Sequence, residues 1–149
     1  MSKSIASIVC GGVLALCSMS AAQAEAPSLY MNLGGKAAIT AVVDEFVARV
    51  AADTRINGFF AGTAADPARL AGFKAKLVDQ ICQASGGPCN YTGKDMKRAH
   101  EGMGVTAAHF NALVEDLVGA LDKFKVKEAD KATLLGVLGP MQSDIVTHQ

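Results

Sequence analysis

The chain has 149 residues, half of them apolar, no tryptophan, and 14 basic side chains against 14 acidic ones. That length and apolar share suit one globular domain with its own core. The zero net charge is spread along the chain and leaves no electrostatic footprint for nucleic acid or an anionic membrane surface, so neither is expected as a partner.

The first 24 residues, MSKSIASIVCGGVLALCSMSAAQA, have a lysine near the start, an apolar centre and a small-x-small sequence at Ala22-Gln23-Ala24. They read as a secretory signal, leaving a domain over residues 25–149 and an exported protein, in a bacterium a periplasmic one. The alternatives fit less well. The apolar run from Ile5 to Met19 is broken by Ser and Gly and falls short of the about 20 residues that a membrane span needs. Neither Cys10 nor Cys17 follows the small residue expected at a lipidation site.

Past a break at Leu33-Gly34-Gly35, residues Ile39, Val42, Val43, Phe46 and Val50 recur at steps of three and four, which predicts an amphipathic helix over 36–52. The stretch ADTRINGFFAG, at 52–62, reads as a corner holding Phe59 and Phe60. Asp66-Pro67 supplies a capping acid and a first-turn proline; Leu70, Phe73, Leu77, Ile81 and Ala84 then keep helical spacing up to Gly86.

With the signal removed, Cys82 and Cys89 are the two remaining cysteines, separated by QASGGP, whose Gly-Gly-Pro can reverse the chain. A bridge between them is sterically reasonable in an oxidising compartment, and two free buried thiols are the alternative. The sequence contains no C-x-x-C-H for covalent haem attachment. His100 alone adds too few ligands to make a zinc site of the pair.

Residues 94–101 form a short polar helical segment that has to lean on a neighbour and carries His100, one of three histidines. Thr106 can cap the next helix, whose apolar face is Phe110, Leu113, Val114, Leu117, Leu121 and Phe124. A last helix starts near Glu128 with Leu134, Leu138, Met141 and Ile145 in phase, and Gly139-Pro140 should kink or shorten it. No segment alternates with period two and none repeats. The fold class is all-α, either a bundle or a globin-like crossing of helices.

A lone histidine is more often a surface or core residue than a ligand, but His100 has an unusual setting. Gly102 and Gly104 follow it, and Met96, Met103, Val105 and Phe110 lie within a few turns, apolar enough to wall a flat cofactor. Imidazole is the common proximal ligand of haem iron. Met and Phe stripes are also ordinary core, so composition alone leaves both readings open.

The motifs LYMNLGG at 29–35, AITAVVDEFVARVAADTRINGFF at 38–60, GGPCNYTGKDM at 86–96, AHEGMGVTAAHF at 99–110 and LGPMQSDIV at 138–146 occur in order. Together they make the chain resemble the truncated haemoglobins, specifically group I, from about Leu29 to Val146. The resemblance implies a two-on-two helical sandwich around one haem b per chain. It assigns His100 as proximal iron ligand and Phe60 as the corner phenylalanine against the porphyrin. Tyr91, Met96, Val105, Phe110 and Leu113 fall on positions lining the haem or its propionate edge, with Lys94, Lys97 or Arg98 as propionate partners.

The distal side departs from the family pattern. Where the family commonly has a tyrosine directly after the helix phenylalanine, here Phe46 is followed by Val47. A hydrogen bond to a partly charged ligand is worth about 1.5–3 kcal/mol, so oxygen should leave faster here unless another polar group substitutes. Two alignments of the next helix compete: one puts Leu70 and Lys74 over the iron, the other Phe73, Lys76 and Leu77. Either lysine can snorkel past the haem edge or, if desolvated and neutral, serve as a sixth ligand. His109 is expected to face solvent or cap a helix, and His148 lies in the tail. The implied function is reversible binding of a diatomic gas, oxygen or nitric oxide. An enzymatic rival is nitric oxide dioxygenation or peroxidase-like chemistry with a redox partner, and a cofactor-free helical module is the third reading.

Overall fold

The computed structural model describes residues 26–147, so the signal segment and His148 lie outside the described residues. Those residues form helices and connecting turns, with no strand among them: α1 (Leu29–Asn32), α2 (Gly35–Ala52), a 3-10 turn (Asn57–Phe60), α3 (Ala61–Ala64), α4 (Pro67–Ala84), α5 (Met96–His100), α6 (Ala107–Lys123), α7 (Glu128–Leu138), a second 3-10 turn (Gly139–Met141) and α8 (Gln142–Ile145). No helix of the described residues is long and apolar enough to cross a membrane.

Glycines at positive φ, Gly34 at 91° and Gly35 at 76°, turn the chain between α1 and α2. The α2 stripe of Ile39, Val42, Val43, Phe46 and Val50 is fully buried, as its spacing predicts. It packs on α4 and α6, and the main core adds Val78, Ile81 and Cys82 from α4, Leu117, Ala120 and Leu121 from α6, and Leu134 from α7. Helices α2 and α4 make one layer and α6 with the C-terminal helices the other, the two-on-two arrangement that the resemblance implies.

Helix α4 has two apolar faces, a division its periodicity alone does not reveal. Asp66 caps it by accepting from the amides of Ala68 and Arg69 at 2.9 and 3.2 Å. Val78, Ile81 and Cys82 enter the core, whereas Leu70, Phe73 and Leu77, the residues that the resemblance sets against the cofactor, are half-buried and line a cavity. At the far end of α6, Phe124 is 44% exposed rather than buried. It is the C-cap, and the positive φ of Lys125 turns the chain away before the ring can reach the core. Gly139-Pro140 breaks the last helix, the shortening that the sequence suggests, leaving α8 as a separate turn whose Ile145 joins Val105 and Phe110 in a second small core.

The chain start is pinned to the end of α4. The amide of Tyr30 donates to the Ser85 carbonyl at 2.9 Å, and the Tyr30 hydroxyl accepts from the Lys36 amide at 3.0 Å. Cys82 and Cys89 are joined, with Cα atoms 5.7 Å apart. Gly87 fits between these features because it has no side chain: a Cβ there would lie 2.5 Å from the Tyr30 ring, 2.7 Å from the Cys82 sulfur and 2.8 Å from the Cys82 carbonyl. Gly87→Ala should therefore destabilise the protein by about 1–3 kcal/mol. Gly72→Ala, in exposed α4 with open space around its added methyl, should stabilise it by up to about 1 kcal/mol. Urea unfolding of the two variants measures both signs.

Candidate functional site

Between the α2–α4 pair and a wall built from α5, α6 and the C-terminal turns lies a cavity of about 1080 Å³. That is at the upper end of the roughly 300–1,000 Å³ of small-molecule sites. The structure brings every candidate of the haem reading to its lining: Phe46 and Val47 from α2, Phe60 from the corner, Leu70, Phe73, Lys74, Lys76 and Leu77 from α4, Tyr91 from the following loop, Met96 and His100 from α5, Val105 from the α5–α6 turn, and Phe110 and Leu113 from α6. Lys94 also borders it, whereas Lys97 and Arg98 stand exposed outside its lining.

The two alignments of α4 are compatible on a real helix. Leu70, Phe73, Lys74 and Leu77 stand at i, i+3, i+4 and i+7 and share one face. Lys76 sits at the edge and is exposed. Lys74 is withdrawn further, with its side chain 32% exposed, and it pairs with Asp44 of α2 at 2.9 Å.

Helix α5 is short, and its ends are defined by specific contacts. The Asp95 carboxylate accepts from the Arg98 amide at 2.9 Å, and Gly102 and Gly104, at positive φ, turn the chain directly into α6. The segment leans on α8. Within it, the half-buried His100 places Nδ1 2.7 Å from the Met96 carbonyl. A carbonyl only accepts, so Nδ1 carries the proton, and in the neutral ring Nε2 then keeps its lone pair. This is the tautomer a metal-binding imidazole needs.

Around α5 the polar groups are committed to one another. The Gln80 amide lies 3.5 Å from the sulfurs of both Met96 and Met141. The Tyr91 amide donates to the Gln83 side chain at 2.6 Å and its hydroxyl to the Lys94 carbonyl at 2.8 Å. Burial, and then the negative charge of Asp95, push the Tyr91 phenol above its ordinary value. His109 does cap α6: its Nδ1 accepts from the Thr106 amide at 3.2 Å, so its neutral ring carries the proton on Nε2. That ring also borders the cavity and stacks edge-on against Phe59, centroids 4.9 Å apart.

Sequence reasoning missed Phe59, Gln80, Met141 and Asp44 as parts of this lining. Phe59 was visible in the aromatic pair of the corner, and Gln80 lies one turn beyond Lys76 on α4. Asp44 and Met141 gave no local signal.

The described residues contain no cluster of three or more His, Cys, Asp or Glu able to hold a metal ion. A single imidazole with a free lone pair on an apolar cavity therefore suits a metal whose other ligands arrive with it, as in a metal-bearing macrocycle. Exposed Lys94 at the border could meet acidic groups on such a molecule.

Comparison with known proteins agrees. The profile of the bacterial-like globins matches residues 28–147. The group 1 truncated hemoglobin GlbN of Mycolicibacterium paratuberculosis is 37% identical over 127 residues, covering 85% of this chain and 90% of that one. GlbN of Synechocystis is 38% identical over 116 residues, covering 75% and 90%. Among solved structures, the Fe(III) truncated hemoglobin of Tetrahymena pyriformis superposes with a TM-score of 0.73 at 30% identity, covering 80% of this chain and 98% of that one. The 2/2 hemoglobin of Synechococcus sp. PCC 7002, solved in the cyanomet state with covalently attached heme, gives 0.73 at 33% identity, covering 82% and 100%.

The raised Tyr91 phenol makes a linkage prediction. The folded state holds that proton more tightly than the unfolded one, so the contribution is complete below the ordinary phenol value of about 10 and is lost as pH rises through the folded value. Tyr91→Phe should lose about 1 kcal/mol at neutral pH with the hydroxyl's hydrogen bond and show a shallower decline in alkaline solution. Denaturant midpoints collected across the alkaline range for both proteins test this.

Proposed function

The chain belongs to the group 1 truncated haemoglobins, and we propose that it holds one haem b on His100 and binds a diatomic gas reversibly, oxygen or nitric oxide. Haem-based ligand binding is what the globin family supports. The observation carrying the finer reading is the His100 ring: its Nδ1 is fixed by the Met96 carbonyl, and its other nitrogen is left free on the wall of the apolar cavity. Bound haem would supply an iron able to coordinate the His100 imidazole and a gas molecule.

The chain's own residues do the rest. Phe60, Val105, Phe110 and Leu113 give the cofactor apolar contact and exclude water, and Phe60 is braced by Phe73 with ring centroids 5.7 Å apart. The hydrogen bond to the Met96 carbonyl fixes the tautomer and the plane of the His100 ring. Lys94 would meet a propionate. On the α2–α4 wall, Phe46, Val47, Leu70, Phe73 and Leu77 offer shape without a hydroxyl, so a bound gas depends on few polar contacts.

Binding ranks above turnover because a dioxygenase cycle needs a steady reductant, and export would remove the chain from cytosolic donors. The pairing of Cys82 with Cys89 supports an oxidising compartment, in keeping with a secretory signal in residues 1–24 and a periplasmic location.

The purified protein should show a Soret band that is lost in His100→Gly and returns with added imidazole. A colourless protein that takes up no hemin ends the reading. Val47→Tyr should slow oxygen release by roughly 10- to 100-fold, the equivalent of one hydrogen bond to a partly charged ligand, as read by stopped-flow dissociation. Sustained nitrate formation from the oxygenated protein, nitric oxide and a reductase would instead favour the enzymatic alternative.

A further inference from the structure

Three lysines border the cavity, Lys74, Lys76 and Lys94, and of these only Lys74 is drawn in from full exposure. It stands on the same helical face as Leu70, Phe73 and Leu77, opposite the apolar Phe46 and Val47 of α2. The other polar groups that α2 and α4 bring to the lining are engaged or outward: Gln80 is turned to two methionine sulfurs, and Asp44 is exposed. The side chain drawn furthest into this wall that can answer a ligand is therefore a cation.

Its present partner is a weak competitor. The Asp44 carboxylate at 2.9 Å is on a side chain 56% exposed, and ion pairs so wetted contribute little because water screens them and two flexible side chains must be held together. The long stem of Lys74 lets its ammonium turn from Asp44 towards the cavity. There, with apolar walls in place of water, attraction between full charges is several times stronger than at the surface. A neutral diatomic molecule gains little from such a group, and a small anion gains much.

We propose that Lys74 makes this cavity selective for small monoanions, the chemical class of azide and nitrite, by exchanging its ion pair with Asp44 for one with the bound anion. The inference rests on the haem reading above and deepens it by naming the side chain that sets the preference for charged over neutral ligands.

The test is an absorbance titration of the hemin-loaded ferric protein with azide and with nitrite, set against carbon monoxide on the ferrous protein. Lys74→Met should lower the azide-to-carbon-monoxide affinity ratio on the order of tenfold, Lys74→Arg should restore most of it, and Asp44→Asn should raise azide affinity several-fold by removing the competitor. An unchanged ratio in Lys74→Met would overturn the proposal. So would a ferric spectrum that shifts from low to high spin in Lys74→Met while every external ligand binds more tightly, because the lysine would then be the sixth ligand itself. A wild-type protein that takes up no hemin overturns both readings, whereas hemin uptake with an unchanged ratio overturns this one alone.

Discussion

Protein interiors pack as densely as organic crystals and keep few voids larger than a water molecule, so an apolar cavity of about 1080 Å³ inside a small helical sandwich is the constraint that organises everything else. Its walls are side chains that the sequence pattern would otherwise send into a core: Leu70, Phe73 and Leu77 of α4, Leu113 and Val114 of α6, Met141 of the last turn. Half-buried side chains of this kind gain dispersion contacts from whatever occupies the space between them. A large flat apolar cofactor would supply those contacts and so stabilise the fold, as any ligand specific to the folded state does.

The remaining structure holds this space open from outside it. The α2 stripe locks onto α4 and α6 through residues that are almost completely dry, Ile39 and Val43 among them. Lys131 bridges Asp122 at the end of α6 and Glu128 at the start of α7, and Asn32 reaches Asp130 at 2.9 Å to tie α1 to the same corner. The Cys82–Cys89 link and the Tyr30 contacts fasten the end of α4. Together these brace α4 at the point where the chain leaves it for the loop carrying Tyr91, and that loop leads directly into α5.

Helix periodicity was readable because a buried stripe needs apolar residues every three or four positions, and α2 satisfies this without interruption. Caps were readable for the same local reason: Asp66-Pro67 and Thr106 satisfy amide groups a few residues away. Periodicity alone does not separate the α4 face that meets core from the one that meets cavity, since both require the same residue types and differ only in what lies opposite; the resemblance to a family supplied Leu70, Phe73 and Leu77 for the cavity side. The exposure of Phe124 belongs to the same class, because a left-handed residue at Lys125 decides it from one position further on. His100 stood out through its glycine neighbours, but its hydrogen-bond partner depends on helical geometry: Met96 lies one turn earlier, which brings its carbonyl within reach of the ring. Asp44 was invisible as a site residue, being one more exposed acid on the outer side of an amphipathic helix.

That last residue shows how the two walls of the cavity differ in kind. On the His100 side the polar groups are fixed by short, local bonds to backbone atoms, Nδ1 to Met96 and the Tyr91 hydroxyl to Lys94, so the geometry is rigid and set by the fold. On the α2–α4 side the one drawn-in charge is held by a side chain on another helix that is itself open to water. A backbone-anchored ring keeps one orientation, while a solvent-screened ion pair can be exchanged for another at small cost. Under the proposed function, Val47 offers no hydroxyl to a neutral gas and selectivity on this side falls to shape and to the charge of one lysine, so the chemistry of the distal wall is expected to vary with the charge of the ligand more than with its hydrogen-bonding power.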